Sequence, residues 1–288
     1  EETTDLIIYD AIPTSTGEGT VVYDLDYGNN LISYPFLTDQ SIDDAIDENY
    51  LNSIFAIAGS GSAAQYVNGV WYGDLQYLDP SSGYWMVTYE NVQFEFNQPD
   101  YDAPPRNSSD SRDDHVPELF TFTQSPYQAF YWTVFADIDG EPLVPGEDWI
   151  GAFYGDVCVG SREWSSVDSD GTLTDVPVMG YYELIEATHD YIVAGEYPQF
   201  KIYDASSYQE CINSGGDTDE CETNAIYDAV AYDNHIFEGA LLAMYSIDEM
   251  KVERDCHGEL GGDAKLDYCG TCDNDPDNDC SAGCSTTE

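Results

Sequence analysis

The chain has 288 residues, with 57 Asp plus Glu against 7 Lys plus Arg and a formal net charge of −50. Residues 1–100 contain no Lys or Arg, so no side-chain cation can neutralise that part. Nucleic acid and anionic membrane surfaces need a basic footprint and are excluded as partners, while 42% hydrophobic residues, with 24 Tyr, 11 Phe and 5 Trp, favour a folded protein over a solvating acidic chain.

Residues 1–98 read as a first β module. DLIIYDAI (5–12) is a short apolar run. Its plain reading is a strand of its own sheet; its other reading is a strand added to a neighbouring copy, which would make the chain a homopolymer. TVVYDLDY (20–27) and NVQFEF (91–96) alternate in period two, as half-buried strands do. LISYPFL (31–37) and YWMVTY (84–89) are short aromatic or β-branched runs between turn signals, and Asn68-Gly69 marks a two-residue hairpin. SIDDAIDENYL (41–51) predicts a short helix, with Ser41 as N-cap and Asp43 and Asp44 at the positive end of its dipole.

Residues 99–117 turn abruptly to Pro, Ser, Asn and Asp and read as an acidic linker or loop. They hold one N-x-S/T sequon at Asn107, read first as chance and second as a glycosylation acceptor. Residues 118–252 resume short strand-like runs, FTFTQ, AFYWTVFADI, DWIGAFY, VCVGSREW, QFKIYDA and GALLAMYSI. NAIYDAVAYD (224–233) fits a brief helix or a strand. Residues 253–288 form a Cys- and Asp-rich tail. The fold class expected is all-β: two β-sandwich-like modules with short helices and a small C-terminal tail.

No run approaches the roughly 20 apolar residues needed to span a bilayer. Eight cysteines, five of them in residues 256–284, and a start at Glu rather than Met predict a mature chain in an oxidising, extracellular or cell-surface setting. In the tail, Asp273, Asp275, Asp277 and Asp279, with Asn274 and Asn278, supply hard oxygen donors, and Asp263 and Asp267 can join them. Ca2+ takes six to eight such ligands at about 2.3–2.6 Å, so calcium is the expected cofactor; the alternative is a solvated acidic tail. Asp168, Asp170 and Asp175 surround Gly171 and begin like an EF-hand loop. Ser166 at the first ligand position and Pro177 at the last exclude an EF-hand, leaving calcium and a plain turn equally open. Asp-Gly within DIDGE (137–141) reads as a turn. Cys269-x-x-Cys272 lacks the second pair that a zinc site needs. No GxSxG elbow, Cys–His pairing or phosphate-cradling loop is present, so no enzyme is expected. Trp71, Tyr72, Tyr84 and Trp85 read as core packing first and as a sugar-stacking platform second.

Three segments carry a resemblance. GNNLISYPF with GSGSAAQYVNGVWYGDLQYLDPSSGYW resembles a β module of secreted, multi-module proteins of environmental bacteria. AFYWTVFADIDGEPLVPGEDWIGAFYGDVCVGSREW, with DVPVMG and PQFKIYDA, resembles a second module that travels with it. DCHGELGGDAKLDYCGTCDNDPDNDC resembles the Cys/Asp-rich repeats near the ends of such proteins, and the calcium-loaded type 3 repeats of thrombospondins. The resemblance implies a secreted structural or adhesive protein, some relatives being extracellular filament subunits, and carries no catalytic residues. Leu260 stands where that repeat has a second cysteine. Cys211 and Cys221 are the natural local pair, closing a loop worth roughly 3 kcal/mol. Cys256, Cys269, Cys272, Cys280 and Cys284 then leave an odd number in the tail, so Cys158 is expected to pair with one of them. The function expected is a filament or surface-assembly subunit held by calcium and disulfides, with an extracellular glycan-binding or adhesion module as the alternative.

Overall fold

The computed structural model describes residues 21–80, 82–101, 116–165 and 173–275. The candidate strand 5–12, Asn107, Asp168, Asp170, Asp277, Asp279, Cys280 and Cys284 lie outside the described residues. The fold is all-β with a few short helices. Two compact units divide between Arg112 and Asp113, inside the Pro/Ser-rich segment, and the tail groups with the second unit.

The first unit contains β1 (Val22–Leu25), β2 (Gly28–Ser33), β3 (Gln40–Ser41), β4 (Ile54–Ala58), β5 (Ala63–Val67), β6 (Val70–Tyr72), β7 (Tyr77–Leu78), β8 (Gly83–Thr88) and β9 (Val92–Glu95). Five of them form one antiparallel sheet in the order β2-β8-β4-β5-β6, while β1 pairs with β9 and β3 with β7. Asn68 and Gly69 turn β5 into β6 with φ of 51° and 95°, the left-handed pair that a tight hairpin demands. The NLIS and GYWM stretches face each other in register, Leu31 opposite Trp85 and Ile32 opposite Tyr84. Tyr34, Tyr84, Phe94 and Phe96 join Ile and Leu side chains in one core, which accounts for the period-two runs. The helix expected over 41–51 is a single turn, α1 (Ile42–Ala45), with the Ser41 hydroxyl accepting from Asp44 N as expected of an N-cap. The chain leaves it because Asp47 accepts from both the backbone and the side-chain amide of Asn49, a local bond that competes with helix.

The second unit contains β10 (Gln128–Thr133), β11 (Ala136–Ile138), β12 (Glu141–Pro142), β13 (Trp149–Tyr154), β14 (Val157–Glu163), β15 (Thr174–Met179), β16 (Gln199–Tyr203), β17 (Ile226–Tyr232), β18 (Ala243–Ile247) and β19 (Glu249–Val252), with β20 (Lys265–Leu266) and β21 (Cys272–Asp273) in the tail. A seven-stranded sheet runs β12-β11-β19-β17-β16-β13-β14 and a three-stranded sheet runs β15-β10-β18. Both contribute to one core: Ala129, Tyr131, Val176 and Val178 from the smaller sheet, with Ile150, Ala152, Phe200, Ile202 and Met250 from the larger. Gly160 permits the closest approach of strands, since a Cβ there would lie 1.7 Å from the carbonyl oxygen of Pro177. Pro177 itself fits because β15 is an edge strand.

Two expectations change, and one open alternative resolves to a strand. AFYWTVFADI is two strands in different sheets, and each pairs in parallel with a late strand, β10 with β18 and β11 with β19. FTFTQ is not a strand: a 3-10 turn spans Glu118–Phe120, and the buried Phe120 ring packs beside Phe153 and Tyr203. NAIYDAVAYD resolves into β17, preceded by two helices, α2 (Ala205–Asn213) and α3 (Thr218–Asn224).

The scarce cations are placed on particular acids. Arg162 bonds the Asp175 carboxylate at 3.2 Å and its carbonyl at 3.0 Å, with the Asp175 side chain only 1% exposed. Lys201 pairs with Asp228, Lys251 with Glu249, and Arg254 with Asp139. Replacing Arg162 by Met should strand a buried carboxylate and cost about 3–5 kcal/mol. The double variant Arg162→Met/Asp175→Leu should regain most of that, as read by denaturant unfolding; an additive loss would contradict the pairing.

Candidate functional site

The tail is bound to the second unit without the bridge expected from Cys158. Cys158 is a free thiol, buried in a cluster of Phe120, Phe153, Tyr203 and Ala225. Its Sγ donates to Gly160 O at 3.4 Å, and burial pushes its pKa up to about 12. Among the described residues no tail thiol reaches it, because its side chain packs into that apolar cluster. Within the tail, Cys256 bonds Cys272, and Cys269 is also disulfide-bonded. Leu260, the departure from the repeat pattern, packs against the main core and bridges Arg254. A hydrophobic contact thus stands where the repeat pattern has a cysteine.

The tail carboxylates are largely met by backbone N–H groups. Asp255 accepts from His257 N and Glu259 N at 2.9 and 2.8 Å. Slight desolvation acts to raise its pKa, but these bonds and one from Ala264 hold it below the usual value. Asp267 Oδ1 accepts from Thr271 N at 2.8 Å, and Asp273 Oδ1 from Asp275 N at 3.0 Å. The Asn274 amide donates to Asp263 Oδ2 at 3.1 Å. Asp267 Oδ2, by contrast, is buried with no hydrogen-bond partner. Among the described residues, no three His, Cys, Asp or Glu side chains converge on a point suited to a metal ion. Asp175 leaves the candidate cation set, because it sits within β15 and its carboxylate is engaged by Arg162.

Of the aromatic candidates in the first unit, Trp71 and Tyr84 are core residues, 7% and 3% exposed. Tyr84 Oη accepts from Asp79 N at 2.7 Å. They offer no sugar platform.

Two open clefts lie among the described residues of the second unit. One, of about 580 Å³, is crossed by the Lys201–Asp228 ion pair. The other, of about 590 Å³, lies between α2 and the ends of β13, β14 and β16. Its helix wall was not foreseen in the sequence, because α2 has no buried residue and its apolar periodicity is weak. The legible signals were the caps: Asp204 accepts from Ser206 and Ser207, and Asp217 from Asp219 N. Cys211 and Cys221, the local pair expected from the sequence, join the two helices. Gly216 fits against that bridge, since a Cβ there would lie 2.4 Å from the Cys221 Sγ and 2.6 Å from the Cys211 Sγ. Beneath α2, Asp148 is 4% exposed and accepts from Val144 N at 2.6 Å and Ala205 N at 3.0 Å. Burial raises its pKa despite those two bonds.

Comparison with protein-family models, with curated proteins and with solved structures returns no match in any of the three. The resemblance of the three segments rests on their motifs alone.

Asp204 gives this region a pH signature. Burial raises its pKa, but the hydroxyl and N–H bonds of Ser206 and Ser207 outweigh burial and leave it below its ordinary 3.8. A depressed carboxyl stabilises the fold above its unfolded pKa, and that contribution is lost as pH falls through the lower folded value. Asp204→Ala should cost about 1 kcal/mol at neutral pH, with the gap to the parent chain closing below about pH 4. Circular-dichroism melts across that range check both.

Proposed function

We propose that the protein is a secreted, non-enzymatic structural subunit of an extracellular filament or surface assembly, its tail held by disulfides and calcium. The observation that carries the calcium part is Asp267 Oδ2, a buried carboxylate oxygen without a donor in a turn whose other acids are satisfied. Such an oxygen is costly to bury and is the kind of hard ligand calcium takes. Asp263, Asp273 and Asp275 lie in the same turns. Among the described residues they do not converge with Asp267 on one point; the sequence offers Asp277 and Asp279 as further oxygen donors.

Several features support the setting. Disulfides cross-link both the α2–α3 pair and the tail, as oxidising compartments allow. Among the described residues no helix is long and apolar enough to cross a membrane. All-β units suit a load-bearing subunit, and β2 is an edge strand of the first sheet among the described residues. A segment such as residues 5–12 of another copy would gain a backbone ladder by pairing with an edge of this kind. Calcium would also screen the repulsion between copies that each carry −50.

Excess chelator should lower the melting temperature of the intact chain and shorten or dissolve its assemblies, with calcium restoring both. A ligand at about 100 times its dissociation constant adds about 2.7 kcal/mol per site, so the shift is measurable. An unchanged melt together with unchanged particles by negative-stain microscopy would refute the calcium role, and single particles at all calcium levels would refute the assembly.

A further inference from the structure

The 590 Å³ cleft of the second unit has a floor set by strand register. Trp149 of β13 pairs directly with Glu163 of β14 on one side and with Tyr203 of β16 on the other. Directly paired residues point to the same face of a sheet, with neighbouring strands about 4.8 Å apart. Glu163, Trp149 and Tyr203 therefore form one cross-strand row. Helix α2 walls it, contributing Tyr208, whose ring lies 6.0 Å from that of Tyr203 at 45°. The next residue, Gln209, donates its amide to Asn213 Oδ1, one turn further along, at 3.3 Å on the exposed side of the wall.

The volume lies within the roughly 300–1,000 Å³ of small-molecule sites. Tyr203, 2% exposed, supports the floor from the core, so the accessible aromatic surface is the half-buried Trp149 indole beside the half-buried Tyr208 phenol. Bordered by a carboxylate and two amides, it matches a ring with one apolar face and an edge of hydroxyls. The aromatic face buries the C–H side, and the planar polar groups take the hydroxyls. Glu147 and Glu210 add negative charge at the rim, and no Lys or Arg lines the cleft. These three carboxylates set the selectivity, because anionic sugars are repelled.

The wall is fixed before any ligand arrives. Asp148 bonds the first residue of α2, Asp204 caps it, and the Cys211–Cys221 bridge ties its far end to α3. Preorganisation of this kind reduces the ordering cost of binding. The companion cleft lacks such a row and is crossed by an ion pair.

We propose that the cleft between α2 and the Glu163–Trp149–Tyr203 row binds pyranose units of a glycan that carry no negative charge. This does not rest on the calcium or assembly reading, and calcium is held constant in its test. The intact chain is titrated calorimetrically with cello-, manno- and N-acetylchito-oligosaccharides, with chitosan oligomers, and with oligogalacturonate as the anionic control. At least one uncharged or amine-bearing oligosaccharide should bind, and oligogalacturonate should not. Trp149→Phe should weaken that binding roughly tenfold. Asn213→Ala, at an exposed helix position, should weaken it several-fold with an unchanged melting temperature. Preference for chitosan over the N-acetylated oligomer would assign the rim carboxylates to an ammonium group, whereas equal binding would assign them to hydroxyls. The proposal is overturned if no member of the uncharged or amine-bearing set binds, if oligogalacturonate binds as well as they do, or if both variants bind like the parent.

Discussion

The structure is governed by how it accommodates carboxylates with so few side-chain cations. Seven Lys and Arg cannot partner 57 acids, and backbone N–H groups take over much of that role. Asp47, Asp137, Asp204, Asp217, Asp255, Asp267 and Asp273 each accept from an N–H two to four residues further along. These bonds are short-range in sequence and need no partner from elsewhere in the fold. They also set the geometry of turns and helix starts, where Asp side chains compete well for backbone donors. The acids therefore act as punctuation, and the excess charge is distributed over connections while the strands carry the core.

Against that background the few ion pairs have distinct roles. Arg162 neutralises an acid that the packing of β14 against β15 takes out of water, whereas Arg254 and Lys251 lie nearer the surface, where such pairs contribute little individually. Arg254 has a further positional effect, because it bonds both Asp139 and Gly258 O and so links the start of the tail to the β11–β12 turn. With Leu260 against the core, this seats the tail on its unit non-covalently.

Much of the fold was legible in residues whose signals are local. Asn68-Gly69 and Asp139-Gly140 both turn through positive φ; Ser41 caps its helix; period-two runs such as NVQFEF become strands with one buried face. What escaped is what depends on distant chain. Nothing within AFYWTVFADI signals that it divides between two sheets, since the division is imposed by the late strands beside it. The α2–α3 pair was hidden because its helices bury little and are held by caps and a disulfide more than by an apolar stripe. For the candidate sites, Cys211 and Cys221 could be paired from their spacing, while the fate of Cys158 depended on which face of β14 it occupies. The cleft row was out of reach for a similar reason: Glu163, Trp149 and Tyr203 are neighbours only through register.

The parallel pairing of β10 and β11 with β18 and β19 bears on how the chain matures. Each early strand waits for a partner more than a hundred residues downstream, and contacts of such long separation form slowly. During synthesis the second unit cannot close its smaller sheet until Ile247 is available, nor its larger until Val252 is. Its apolar faces are meanwhile exposed, and the high density of like charge on the growing chain then serves to keep neighbouring unfinished copies apart.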